Sequence, residues 1–370
     1  MKKLRAFLQR KDIVFSGKRY GIDALGAMAQ GLFCTLLVGT ILNTIGQQFA
    51  IGFLNEVIVT VGKGDGAVSY TIGGLASAMV GPGIAIAIGT ALHAPGLVLF
   101  SLIPVGFAAN TMGGAGGPLA VYFVAILACE WGKLVSKETK INILVTPIIT
   151  ILAGIGFAAL VAAPIGTAAK AVGQAIMWAT DLQPFFMGII VSVLVGIALT
   201  LPISSAAICA SFGLVGLAGG AAVAGCCAQM VGFAVMSFRE NRWGGLVAQG
   251  VGTSMLQMPN IVKNPRIWIP PTLASAITGP LATCLFQLEM NDPGGGLASG
   301  MGTCGFVGQI GVYSGWANDI ATGAKAAITA TDWIALVLIC FVLPAILSWF
   351  FCLILRRWGW IKENDLKLNL

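Results

Sequence analysis

Long runs of the chain contain no charged residue, and short charged segments separate them. Asp, Glu, Lys and Arg are absent from residues 67–129, 141–169, 182–238, 267–288 and 333–355. A helix needs about 20 apolar residues to cross the hydrocarbon core of a bilayer, so the apolar runs together hold about eight to ten transmembrane helices. The pattern therefore predicts an all-α polytopic membrane protein.

Two apolar stretches of the second half are interrupted by Gly and Pro. Residues 243–262 hold four glycines and Pro259, and residues 293–318 open with Pro293 followed by three glycines. Backbone that leaves the helical conformation at membrane depth is tolerated only inside protein or beside a watery cavity, and such discontinuous pieces form binding sites in transporters. We therefore predict re-entrant hairpins that enclose a polar chamber. The alternative is that the glycines serve close helix packing.

Composition and charge exclude a soluble enzyme. The chain is 57% hydrophobic and 9% charged, with a mean hydropathy of +0.90, whereas ordinary soluble domains are about 25% charged. The net charge of +7 does not indicate nucleic-acid binding, because basic residues gather at the two ends of the chain. They are Lys2, Lys3, Arg5, Arg10, Lys11, Lys18 and Arg19 at one end and Arg356, Arg357, Lys362 and Lys367 at the other. Lys and Arg accumulate on the cytoplasmic side of spans, so we expect a lipid bilayer around the chain and both termini in the cytoplasm.

The chain contains no motif of a soluble catalytic site. A single histidine, His93, makes neither a metal-ligand cluster nor a Ser/His/Asp set, and the Gly-rich stretches lack the Lys-Ser/Thr ending of a phosphate-binding loop. The nine cysteines lie in or beside apolar runs without paired spacing, so we predict that they act as reduced, small hydrophobic residues. We expect no metal, no cofactor and no intrinsic catalytic site, while participation in a coupled phosphorylation stays open.

Polar residues inside or beside the apolar runs are the candidates for substrate binding. Amides offer hydroxyl groups both a donor and an acceptor at a smaller desolvation cost than an ion, which suits a sugar or polyol. The amide candidates are Asn110, Gln257, Asn260, Asn264, Gln309 and Asn318. Glu289 follows an apolar segment and would accept substrate hydroxyls. His93 would couple transport to protons at mid-membrane depth and would be merely solvated at an interface.

A short run in the second half resembles the cytoplasmic re-entrant region of the IIC membrane subunits of the sugar phosphotransferase system. The run is Gln-Met-Pro-Asn-Ile-Val-Lys-Asn-Pro at 257–265, followed by Ile-Pro-Pro at 269–271. The residues that match the family pattern are Pro259, Asn264, Pro265 and Pro270. Chain length, the basic arm and the Gly-rich hairpins also resemble the branch that includes perfringolysin-regulator membrane proteins. Residues 252–254 stand where the family's Asn-Glu-Pro glutamate is expected, and no family-type histidine lies in 200–210.

The resemblance implies a homodimer in the bacterial cytoplasmic (inner) membrane. Its parts would be a basic cytoplasmic arm (1–20), a scaffold and dimerisation half (21–180), a transport half with re-entrant hairpins (181–356) and a cytoplasmic tail (357–370). The prolines Pro259, Pro265 and Pro270 would form the hairpins. Separate IIA and IIB proteins would supply the phosphoryl group.

Pattern and resemblance together favour a membrane permease for a sugar or polyol that works by alternating access. Two alternatives remain. One is an ion-gradient-driven transporter of a non-sugar solute. The other is a membrane sensor or regulator without net transport, which the missing family glutamate favours.

Overall fold

The computed structural model of the chain describes residues 2–62, 66–291 and 296–368. The start of the second Gly-rich stretch, including Pro293, lies outside the described residues. The chain divides into two compact units, Met1–Ala168 and Ala169–Leu370. The boundary between them falls inside one long helix, Asn142–Thr180.

The described chain is almost entirely helical. Five helices are long and apolar enough to cross a membrane by length and composition, or up to six if the bent pair Ile72–Ala78 and Val80–Ala91 is one span. One of these segments, Gly96–Val135, consists of two helices joined by a turn at Gly114, where φ is +53°. The two helices pack against each other. The predicted all-α polytopic membrane class is thus confirmed. The count of eight to ten crossings, which includes shorter helices, stays a prediction.

The first unit is built from helices joined by short turns and one small hairpin. In chain order its helices are α1 Lys2–Arg10, α2 Ala24–Leu32, α3 Val38–Gln48, α4 Gly52–Asn55, α5 Ile72–Ala78, α6 Val80–Ala91, α7 Gly96–Gly113, α8 Gly117–Val135 and α9 Asn142–Thr180, which continues into the second unit. The strands β1 Val59–Val61 and β2 Val68–Tyr70 pair antiparallel, with Val59 opposite Tyr70. Helix α2 continues through a π-helical turn into α3, so that Arg19–Gln48 forms one apolar helix.

Glycines bring helices of the first unit into close contact. A Cβ added to Gly31 of α2 would clash with the backbone of Gly83 in α6, and one added to Gly106 of α7 would clash with the carbonyl of Gly81 in α6. Since only glycine lacks a Cβ, these contacts depend on the residue type. Close packing is therefore one role that glycine has in this chain.

The second unit is organised around one buried helix. After the end of α9 its helices are α10 Pro184–Thr200, α11 Ser205–Ser211, α12 Gly216–Met236, α13 Phe238–Val247, α14 Met258–Lys263, α15 Ile269–Pro280, α16 Val307–Ala321, α17 Ala330–Val337 and α18 Leu343–Arg357. Helix α12 contacts α10, α15 and α18, and 94% of its apolar window is buried. A Cβ on Gly225 would clash with the carbonyl of Ser192 in α10, so the α10–α12 contact also depends on glycine.

Both Gly-rich stretches leave the helical conformation repeatedly. The first broken segment (residues 242–268) begins at Arg242, with φ 51° and ψ −150°, and passes through a π-helical turn, a 3-10 turn, α14 and a further 3-10 turn before α15. The second broken segment (residues 296–306) consists of two 3-10 turns with left-handed backbone at Gly302, Gly305 and Phe306. Within the described residues, neither stretch is a continuous helix.

Candidate functional site

The two broken segments meet beside α12. The turn Ala248–Gly252 of the first segment contacts the turn Cys304–Phe306 of the second, and both segments pack on α12. Because α12 is buried, polar side chains here are shielded from water and need partners within the protein. This junction is the candidate site.

A buried glutamine of α12 connects the transmembrane helices to the first broken segment. Gln229 Oε1 accepts hydrogen bonds from Trp268 Nε1 at 3.0 Å and from Thr200 Oγ1 at 3.4 Å. Thr200 Oγ1 in turn lies 2.8 Å from Ser254 Oγ. The sequence analysis missed Gln229 and Ser254; the signal that would have found Gln229 is an amide inside the otherwise apolar run 182–238.

The predicted residues Gln257 and Asn260 lie in one chain of amides. Gln257 Nε2 donates to Gln249 Oε1 at 2.8 Å, and Asn260 Nδ2 donates to Gln257 Oε1 at 2.8 Å. Gln249 Nε2 continues the chain to Ser237 Oγ at 2.8 Å. All four side chains are buried. The structure therefore brings these predicted residues together and adds Gln249, which the sequence analysis missed.

The second hydrogen on the amide nitrogens of Gln257 and Asn260 goes to the C-terminal tail (residues 359–368), whereas that of Gln249 goes to the Gly245 carbonyl at 2.9 Å. Gln257 Nε2 donates to the Leu366 carbonyl at 3.0 Å, and Asn260 Nδ2 donates to the Lys367 carbonyl at 2.9 Å. Each primary amide nitrogen carries two hydrogens, so both donors of each side chain are used. In this conformation neither amide has a donor free for a solute.

The tail is held at two further points. Asn264, another predicted residue, donates to the Trp360 carbonyl at 2.9 Å. Asn241 donates to the Leu366 carbonyl at 2.8 Å and accepts from the Leu368 backbone N–H at 2.8 Å. The amides of this region therefore recognise the backbone of the chain's own C-terminus.

Two buried oxygens at the second broken segment have no hydrogen-bond partner among the described residues. They are Thr303 Oγ1 and Gln309 Oε1. Thr303 is fully buried and Gln309 is 8% exposed, and Gln309 Nε2 donates to Cys227 Sγ at 3.1 Å. A buried polar atom without a partner is unfavourable, so these two oxygens are candidates to accept hydrogen bonds from a ligand or water. Gln309 was predicted, whereas Thr303 was missed because nothing in its local sequence distinguishes it.

The predicted prolines each begin a helical element. Pro259 and Pro270 lie in the first turns of α14 and α15, and Pro265 opens the 3-10 turn between them. Proline is tolerated there because the first turn of a helix has no acceptor for its N–H. Their role in re-entrant hairpins stays a prediction.

Three predicted residues make none of the hydrogen bonds described at this junction. Glu289 and Asn318 belong to the second unit and are exposed, and Glu289 accepts a hydrogen bond from Asn291 Nδ2 at 3.3 Å. Asn110 belongs to the first unit, where its Cβ lies so close to Gly81 that a Cβ added to Gly81 would be 2.7 Å away. Its position is a helix-packing contact. Substrate binding by these residues stays a prediction.

His93 lies in a charged cluster of the first unit. Its side chain is 77% exposed, and its Nδ1 lies 3.1 Å from Asp12 Oδ2. Arg19 donates to both carboxylate oxygens of Asp12, at 3.0 and 2.6 Å. Buried Lys133 donates to the backbone carbonyls of Asp12 and Leu92, at 2.8 and 3.0 Å. These bonds attach the basic arm to α8 and to the turn after α6.

The ion pair with Arg19 changes the titration of Asp12. The Arg19 guanidinium holds the pKa of the Asp12 carboxyl well below its usual range, and His93 and Lys133 act in the same direction. The carboxylate is therefore retained under mildly acidic conditions.

The described residues offer no group of three or more His, Cys, Asp or Glu side chains that would hold a metal ion. All nine cysteines are free, and seven of them are buried. The polar side chains described at the junction, Gln229, Ser254, Thr303 and Gln309, are neutral.

Comparison with known proteins gives one match that covers nearly the whole chain. A family model described as "Phosphotransferase system, EIIC" matches residues 22–368. No curated protein and no solved structure matches the chain. The matched region includes both broken segments and the C-terminal tail.

Proposed function

The chain belongs to the EIIC family of the phosphotransferase system, and from this premise we propose that it is a permease that binds a sugar or polyol between the two broken segments. Family membership and the apolar helices make it a multi-pass membrane component of sugar transport that works with IIA and IIB partners. The substrate class, the site and alternating access are the parts that we propose.

The observation that carries the proposal is the pair of unpartnered oxygens, Thr303 Oγ1 and Gln309 Oε1. Leaving a buried acceptor unpaired costs about 1–3 kcal/mol. A substrate hydroxyl that donates to such an oxygen removes this cost, so the site favours a ligand rich in hydroxyl groups. Gln229 and Ser254 are further buried polar side chains where α12 meets the first broken segment.

The charge of the two segments supports a neutral solute. The charged residues of the two segments are Arg242, Lys263 and Arg266, all near the ends of the first segment, and the stretches 243–262 and 296–306 contain no Asp, Glu, Lys or Arg. Ionisable groups within the membrane mark ion and proton pathways, and these two stretches provide none. This favours a sugar or polyol over an ion-coupled solute, and it leaves phosphoryl transfer to the partner proteins.

The broken backbone supports movement at the site. The left-handed residue Gly302 lies between the two short turns and the left-handed residue Gly305 lies inside the second, and a Cβ on Gly302 would lie 2.6 Å from the Cys226 Cβ. Glycine adopts positive φ without steric cost, so this segment changes conformation more readily than a continuous helix. Alternating access needs such discontinuous elements beside the substrate.

We also propose a homodimer in the bacterial cytoplasmic membrane with both termini in the cytoplasm. The basic arm and the arginines at the end of α18 support this orientation, because positive residues favour the cytoplasmic side. Accessibility labelling of single cysteines placed in the arm and in the tail tests it. Labelling of either terminus from outside intact cells would contradict it.

Equilibrium binding of labelled sugars to the purified protein tests the substrate site. We expect Gln309→Leu to weaken the binding of any sugar that the wild type binds about tenfold, the equivalent of about 1.4 kcal/mol. Gln183→Leu is the matched control, since Gln183 is an exposed amide of the same unit that lies outside both broken segments and is not a predicted binding residue. Thermal unfolding confirms that both variants are folded.

Two outcomes would contradict the proposal. One is a folded wild type that binds none of a broad panel of sugars and polyols. The other is equal loss of binding in both variants. Uptake into liposomes that requires a proton or sodium gradient would select the ion-driven alternative, and binding without uptake would select the sensor.

A further inference from the structure

A cavity of about 270 Å³ opens in the second unit where two helices end. Its walls include Val235 and Met236 at the end of α12 and Trp349 and Leu353 in α18. Trp349 is 51% exposed. The cavity therefore has an apolar wall that opens to the surface of the protein.

Two arginines line the same cavity. Arg356 donates to Glu240 Oε1 through Nη2 at 2.6 Å and is mostly buried, with its side chain 16% exposed. Arg239 is exposed and makes no hydrogen bond or salt bridge within the described part of the chain. Glu240 compensates the charge of Arg356, so the charge of Arg239 is left uncompensated at the cavity.

The cavity lies at the ends of two apolar helices. The apolar spans Gly216–Met236 and Ala330–Arg357 both end here, and charged residues follow directly. Basic side chains at the ends of spans lie at the level of lipid headgroups. Apolar walls thus face the acyl region while the guanidinium groups face the headgroups.

We propose that this cavity binds an anionic phospholipid. The headgroup phosphate pairs with Arg239 and with the outward side of Arg356, and one acyl chain lies along Trp349 and Leu353. Basic pockets between helices are the kind of site that anionic headgroups occupy, and Arg binds phosphate oxygens in a bidentate manner. One lining residue, Leu246, belongs to the first broken segment, but none of the hydrogen-bonding side chains of the junction lines the cavity, so lipid binding and sugar binding are tested by different variants.

Native mass spectrometry of the full-length protein in a neutral detergent tests this site. The probes are phosphatidylglycerol, phosphatidylcholine with the same acyl chains, and inorganic phosphate. We expect phosphatidylglycerol to bind more tightly than phosphatidylcholine, and inorganic phosphate to leave that preference unchanged. Arg239→Gln should reduce the preference about fivefold, since one basic residue near an anionic surface contributes about that factor, while Arg239→Lys should retain most of it.

Lys362→Gln is the matched control, because Lys362 is an exposed cation of the same unit that does not line the cavity. The preference should be the same as in the wild type. The proposal is overturned if Arg239→Gln and Lys362→Gln lose the preference equally, or if Arg239→Gln retains it. It is also overturned if phosphate competes as well as the lipid does, which indicates a site for a free anion, or if a second copy of the chain covers the cavity and excludes both lipids.

Discussion

Replacement of Thr303 by Val is the most direct test of the proposed sugar site. The side chain is fully buried and its hydroxyl has no hydrogen-bond partner among the described residues. Val has nearly the same shape as Thr, so Thr303→Val replaces the hydroxyl with a methyl group and disturbs the packing little. The substitution therefore separates the hydroxyl from the volume that it occupies.

The expected change in stability is opposite to that of most core substitutions. Burying an unpaired hydroxyl costs about 1–3 kcal/mol, so its removal should raise the free energy of unfolding of the ligand-free protein by about 1 kcal/mol. Most substitutions instead lower stability. With sugar bound, the hydroxyl gains a partner, so its loss should weaken binding by about 0.5–1.5 kcal/mol, or roughly two- to tenfold.

Thermal unfolding with and without sugar, together with equilibrium binding, measures both effects. Thr253→Val is the matched control, because Thr253 is a buried threonine of the first broken segment whose Oγ1 accepts from the Met255 backbone N–H at 3.1 Å. Losing this bond leaves the N–H without its acceptor, so Thr253→Val should lower stability. The two threonines should therefore respond with opposite signs.

A loss of stability in Thr303→Val similar to that in Thr253→Val would refute the reasoning, because it would mean that the Thr303 hydroxyl has a partner in the ligand-free protein. A gain of stability with unchanged sugar binding would refute the location of the site. In that case the unpaired oxygen would be a feature of packing only.

Three further predictions concern the tail, the arm and the helix contacts. Ending the chain after Trp360 should speed amide hydrogen exchange in residues 249–264, because it removes the hydrogen bonds from Asn241, Gln257 and Asn260 to the tail, each worth about 0.5–1.5 kcal/mol. Ending the chain after Leu368 is the control, since it keeps these bonds and should leave the exchange rates unchanged. Asp12→Asn should lower thermal stability at pH 7, and the difference from the wild type should persist down to about pH 4 and shrink only below it. The reason is that the pKa of this carboxyl is lower in the folded than in the unfolded protein, so its contribution to stability is lost as the pH falls from the unfolded-state pKa to the folded-state pKa. A difference that disappears by pH 5 would contradict the geometry of the Arg19 pair. Gly225→Ala should destabilise the second unit by about 1–3 kcal/mol through overpacking, because the added Cβ would meet the Ser192 carbonyl. Gly156→Ala is the control and should be tolerated, because a Cβ at Gly156 would lie in open space. Equal melting temperatures of the two variants would show that α10 and α12 can separate freely.

The local features of this protein are readable from the sequence. Runs without charge predict helices in a membrane, because an ion in hydrocarbon is unfavourable whatever the fold around it. Gly and Pro at high density predict the interruptions at 243–262, because their effect on the backbone acts within a few residues. Gln257 directly precedes α14 and Asn260 lies in the first turn of that helix, three residues later, so their proximity is local as well.

The partners of these groups were decided by the tertiary structure. Gln257 binds Leu366, 109 residues away, and Gln309 binds Cys227, 82 residues away. Hydropathy indicates which environment a residue enters, but it does not indicate which residue it meets there. That choice depends on how closely the helices approach, and at Gly225 and Gly31 the approach is set by the backbone of another helix.

The candidate residues show the same difference between what the sequence determines and what the tertiary structure decides. The sequence by itself determined a helical membrane chain with two interrupted stretches and a set of neutral amides, since each of these properties follows from side-chain chemistry and short-range backbone preference. Only the tertiary structure decided that three of those amides bind the chain's own tail and that Thr303 and Gln309 keep unpaired oxygens. Whether a buried polar atom has a partner depends on every element packed around it, and that information is spread over the whole second unit.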